Sequence, residues 1–323
     1  MKLKKILTNF VFPVVLTAVV FLIVKKLFLK KELIHYIGTL SVREHFISSI
    51  FMLIGFAFAG LQLRNVFIKS ISVKLSWFDT LTLPITQNLW GYIIPFQGSF
   101  LYSTFFLKTK YKINIKSSFS VYFIIILASL FLGGITGLIY LLANNGSFKQ
   151  GLFFIFFIAL PVFPFLGKRF LISLNFLNES KLFKFQQYFL NIIEEVVALL
   201  NNKLFLINLF IIDICYVVTY ATWSFWISEV LEYGIPFTFF LSLGFLMKLH
   251  SFTKLTPGNM GIIQLLVGGY FSLFDLNPEI GVVVSLIQLI TTFFFGFPIG
   301  LITTILSFNN LKSDVFTNFF KKI

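Results

Sequence analysis

The chain is a succession of apolar runs, several of them as long as a bilayer core is thick, with lysine clusters between them. The runs cover residues 6–24, 46–63, 119–143, 151–166, 204–227 and 280–308. At 1.5 Å per residue, about 20 apolar residues in a helix cross the hydrocarbon. In lipid every backbone polar group must be satisfied internally, which leaves helices as the spanning conformation for runs of this length. Run 6–24 follows a tip carrying Lys2, Lys4 and Lys5, and Lys25 and Lys26 come after it instead of a small-residue cleavage site. It therefore reads as a retained first span. The expected fold is all-α: a polytopic membrane helix bundle of about eight helical segments, one or two of them re-entrant or broken. Residues 1–323 form a single transmembrane domain.

With 58% hydrophobic and 12% charged residues, the chain is far from a soluble domain. Its formal charge of +14 would suggest nucleic acid in a soluble protein. Here the basic residues cluster between apolar runs, so the expected partners are the membrane and its anionic headgroups, and no nucleic acid. A lone cysteine, Cys215, excludes an internal disulfide, and His35, His45 and His250 lack metal-ligand spacing. There is no nucleophile–base set, phosphate loop or nucleotide fingerprint. Neither an enzyme nor a cofactor is expected.

Residues 168–203 are the longest polar stretch, and Leu182, Phe185, Phe189, Ile193, Val196 and Leu200 recur there at helical spacing. That pattern predicts an amphipathic helix on the cytoplasmic surface, docked on its own bundle. Trp223 and Trp226 are expected in an interfacial belt.

Two segments are broken. Pro84, Gly91, Pro95 and Gly98 interrupt residues 81–107, and Gln87, Asn88 and Gln97 are polar within that stretch. Later comes Thr256-Pro257-Gly258-Asn259-Met260-Gly261-Ile262-Ile263-Gln264. Thr256 suits an N-cap and Pro257 the first helical position, so a helix is expected to start there. Its free N–H groups would face an anion, with Lys248 and Lys254 just before them. Backbone that leaves the helix in hydrocarbon must line a wet cavity or be buried in protein, and paired breaks of this kind point to a transport site. The candidate substrate-binding residues are Pro95, Gln97, Gly98, Asp213, Lys248, His250, Lys254, Thr256, Pro257, Gly258, Asn259, Gly261 and Gln264. Asp213 falls mid-span, with Lys248 as its expected partner. Gln288 is expected to join helices.

Two topologies satisfy the positive-inside rule. If residues 81–107 dip in and return, with the N-terminus inside, 20 of the 26 basic residues are inside. If that segment crosses and the N-terminus is outside, 19 are inside. The basic tip and the Pro95/Gly98 pair favour the hairpin, with both termini cytoplasmic.

Thr256-Pro257-Gly258-Asn259-Met260-Gly261 is similar to the Pro-Gly-x-x-Gly break of the lysylphosphatidylglycerol synthase transmembrane-region family. Pro95-Phe96-Gln97-Gly98, followed by Leu107-Lys108, resembles that family's earlier motif. The likeness covers roughly residues 6–308. It implies a flippase-like membrane protein without the soluble synthase domain. The implied cargo is an anionic phospholipid or a polyprenyl-phosphate-linked glycolipid, moved across a bacterial-type inner membrane. The implied alternative is a non-transporting scaffold or accessory subunit for an envelope-biosynthesis enzyme. Gln264 stands where the family usually has an acidic residue, and Gln97 near a usual arginine, so a charge pair between these motifs does not carry over.

Overall fold

A computed structural model describes residues 40–94, 98–144, 146–173, 181–244 and 256–309. The expected first span, the basic tail, Pro95, Gln97, Lys248, His250 and Lys254 lie outside the described residues. The described chain is helical throughout: α1 Val42–Ile71, α2 Trp77–Ile93, α3 Gly98–Tyr111, α4 Ile115–Ala143, α5 Phe148–Ala159, α6 Phe163–Ser173, α7 Lys181–Leu200, α8 Lys203–Val230, α9 Phe237–Leu243, α10 Ile262–Leu273, α11 Pro278–Thr291 and α12 Phe297–Asn309. A 3₁₀ turn joins α5 to α6, and a π-helical turn, Thr292–Gly296, joins α11 to α12. Five continuous stretches are long and apolar enough to cross a membrane: α1, α4, α5–α6, α8 and α11–α12.

Short polar signals start these helices. Ser41 and Glu44 form a reciprocal capping box on α1, as do Ser147 and Gln150 on α5. Ser76, Asn114, Asn202 and Asn277 cap α2, α4, α8 and α11. Pro298 follows the π-helical turn, which absorbs the missing donor inside the last span.

The frame is the antiparallel pair α1–α8. Trp223 donates from Nε1 to the Ser48 hydroxyl at 2.5 Å near one end, and Gln62 reaches Asp213 further along. This defines a first face, where α1 ends and α8 begins, and a second face, where α8 ends. The expected belt position of Trp223 is corrected: it is almost fully buried in the frame, because Ser48 offers its indole an acceptor inside the protein. Trp226 packs on Phe51. Helix α7 lies at the first face, burying Ile192, Val196 and Leu199 against its own bundle. Glu194 and Glu195 face Lys168 and Lys116 at 3.4 and 3.6 Å. Such exposed pairs add little energy, so the buried apolar stripe holds the helix.

Residues 81–107 do not cross. Helices α2 and α3 form a hairpin whose base is at the first face. Asp79, fully buried at the start of α2, takes Lys110 at 2.7 Å from the end of α3, together with the Tyr111 hydroxyl. Nearer the tip, Trp90 stacks on Tyr102 at 5.5 Å. The hairpin enters the frame beside Gly60. Pro84 removes the donor for the Thr80 carbonyl, and a Cβ on Gly60 would overlap that oxygen. Single cysteines at Lys74 and Lys112, in a chain with Cys215→Ser, are expected to react with an impermeant maleimide from the same side. Labelling from opposite sides would mean that the segment crosses.

A second hairpin enters from the second face. Tyr270 near the end of α10 donates to Ser242 of α9 at 2.6 Å, and Phe239 packs on Phe271 at 4.7 Å. Gln150, at the start of α5, donates to the Leu273 carbonyl at the end of α10 at 2.5 Å.

Candidate functional site

The two hairpins meet end to end inside the α1–α8 frame. Gly258, in the 3₁₀ turn Pro257–Asn259, is packed so tightly on Tyr92 of α2 that a Cβ would enter the ring. Gly258 has φ 61° and Asn259 φ 59°, both left-handed, which glycine and asparagine tolerate best. Around this contact lies a cavity of about 160 Å³.

Gln62 of α1 and Gln87, Asn88 and Tyr92 of α2 form one side. Tyr122 of α4 and Tyr216, Tyr220 and Trp223 of α8 form the next. Asn259 comes from the second hairpin, and Ser285, Gln288 and Thr292 from α11 and the π-helical turn. The wall is tied to itself. Gln87 donates to the Tyr122 hydroxyl, and Gln288 donates to Ser224 at 2.9 Å, which joins α11 to α8 as expected of that residue. Among the described residues no lysine, arginine, aspartate or glutamate lines the space. Phenols and amides both donate and accept hydrogen bonds, so the cavity suits a polar group of modest charge.

Asp213 stands behind this wall. It is fully buried and accepts from Gln62 and from the Ser129 hydroxyl at 2.7 Å, so α1, α4 and α8 converge on one carboxylate. Gln62 links it to the cavity. Its expected partner Lys248 lies outside the described residues.

The structure separates the candidates named from sequence. Gly258 and Asn259 line the cavity. Gly98 is buried in the first hairpin, where a Cβ would press on Ile94 and the Trp90 carbonyl. Thr256 does not cap a helix: its hydroxyl donates to the Met260 carbonyl at 2.8 Å, closing the turn. The expected helix start is therefore corrected. Left-handed Gly258 and Asn259 stop a helix at Pro257, and α10 starts at Ile262 with Gly261 (φ 85°) as its N-cap. Gln264 accepts from the Gly261 N–H at 2.6 Å, so this donor is already taken.

The four tyrosines and Gln62 were not anticipated. Each is an isolated polar residue on an apolar helix, and only the packing of α1, α2, α4 and α8 brings them to one space.

Residues 2–300 match the family model described as lysylphosphatidylglycerol synthase TM region. No curated protein matches the chain, and no solved structure does.

Proposed function

The chain belongs to the lysylphosphatidylglycerol synthase transmembrane-region family, and from that premise we propose that it translocates a lipid between leaflets. The cargo class is an anionic phospholipid or a polyprenyl-phosphate-linked glycolipid, and the protein acts without covalent chemistry. The observation that carries this reading is the polar cavity held between two hairpins that enter from opposite faces. Broken helices meeting at mid-depth give a polar headgroup a place to rest while its tails stay in lipid. Opening either hairpin alone would expose that place to one face.

The first face carries Lys69, Lys74, Lys108, Lys110, Lys112 and Lys116, whereas Arg43 and Lys149 lie toward the second. By the positive-inside rule the first face is cytoplasmic, in a bacterial-type inner membrane. The rival reading, a scaffold for an envelope-biosynthesis enzyme, would use α7 for docking. Ile192, Val196 and Leu199 of α7 are covered by its own bundle, whereas Phe189 of the expected stripe is 37% exposed.

The test is reconstitution into liposomes holding fluorescent phosphatidylglycerol or a fluorescent polyprenyl-phosphate glycolipid, with dithionite added outside. Bleaching beyond the outer-leaflet share, absent from protein-free vesicles, is the expected result. A plateau at the outer-leaflet share for both lipids would leave the scaffold reading in place.

A further inference from the structure

A phosphate-bearing lipid brings a negative charge, yet among the described residues no cation lines the cavity, and the carboxylate of Asp213 stands behind it. A buried cation beside the path would answer that charge. Arg64 follows Gln62 and Leu63, which line the cavity, and lies further along α1 toward the first face.

Arg64 is only 7% exposed, and its Nη1 is buried with no acceptor among the described residues. A buried guanidinium nitrogen without an acceptor is rare because removing a cation from water is costly. The nearby buried carboxylate, Asp79, is committed to Lys110, Tyr111 and Ser76. The Arg64 guanidinium carbon sits 3.7 Å from the centroid of the Trp77 ring. Stacking of this kind uses the π face of the guanidinium and leaves its N–H edge free in the plane. A planar fork of donors matches two oxygens of a phosphate. Trp77 itself is 63% exposed at the first turn of α2, on the lysine-rich face, and tryptophan favours the level of the headgroups.

We propose that Arg64 and Trp77 form a phosphate-binding site at the base of the first hairpin, on the path to the cavity. The position of Trp77 favours a lipid phosphodiester as the source, and free phosphate shares the same chemistry. The choice of a lipid rests on the translocator reading above; the phosphate site itself does not.

Isothermal titration of the full chain in a neutral detergent tests this with three probes: dihexanoyl-phosphatidylglycerol, dihexanoylglycerol and inorganic phosphate. The phosphatidylglycerol should bind at least ~10-fold tighter than dihexanoylglycerol. Arg64→Gln should abolish that preference, and Arg64→Lys should retain part of it, as a point charge without the fork. Weaker binding of inorganic phosphate assigns the site to a lipid, and equal binding assigns it to the free anion; both support a phosphate site. A preference unchanged in Arg64→Gln overturns the proposal. Should that variant fail to fold, an unchanged preference in both Arg64→Lys and Trp77→Leu overturns it as well. The liposome assay separates the two readings. Phosphate binding through Arg64 with no lipid crossing keeps this site and removes the translocator. Lipid crossing with a phosphate preference indifferent to Arg64 does the reverse.

Discussion

Gly258→Leu is expected to reduce lipid translocation to the level of protein-free vesicles while the chain still inserts and folds. Two independent effects act at this position. Its φ of 61° costs a side chain about 1–3 kcal/mol of backbone strain. A Cβ would also enter the ring of Tyr92. The strain alone corresponds to roughly a 5- to 150-fold shift between conformations, if it falls only on the state in which the hairpin tips touch. The overlap adds to that, and leucine fills space that belongs to the cavity. The five spanning stretches do not depend on this contact, so insertion should stay close to wild type. Wild-type transport by Gly258→Leu would remove the tip contact from the mechanism.

A different failure is expected from Lys110→Met. It leaves the fully buried Asp79 carboxylate with the Tyr111 and Ser76 hydroxyls but no cation. Breaking a buried ion pair from one side typically costs 3–5 kcal/mol. Lys110 is 26% exposed and two hydroxyls still donate, so about 2–3 kcal/mol is the expected loss. The loss should be local, because the latch ties the base of the first hairpin and not the α1–α8 frame. Amide exchange should rise in α2 and α3 while α8 stays protected. The double variant Asp79→Asn/Lys110→Met removes the uncompensated charge and should recover much of the loss. Equal exchange in α2, α3 and α8 would show that the latch stabilises the whole fold.

How far the sequence reached depends on the range of the interaction involved. Spans were legible because apolar length is a local property, as was the hairpin, because Pro95 and Gly98 mark a break within residues 81–107. The break at Gly258 and Asn259 was legible because a glycine and an asparagine after a proline announce an irregular turn. The helix start was misplaced by the same signals. Thr256-Pro257 reads as a cap until the two left-handed residues after it are seen, and the true cap at Gly261 relies on Gln264. The partners of Asp213 were out of reach, because Gln62 and Ser129 are 151 and 84 residues away in sequence. Trp223 looked like a belt residue because its distance from the end of the run fits one, and only Ser48 on another helix explains its burial.

The end-to-end meeting of the hairpins also has an electrical consequence. If each hairpin reaches about half-way across, the barrier between the two sides narrows to the layer around the Gly258–Tyr92 contact. If water follows each hairpin inward, most of the membrane voltage falls across that layer. A charge moved past it senses nearly the whole potential, about 2.3 kcal/mol per elementary charge for each 100 mV. An anionic headgroup passing this point would then be driven outward by an interior-negative potential, so voltage alone could set the direction of travel.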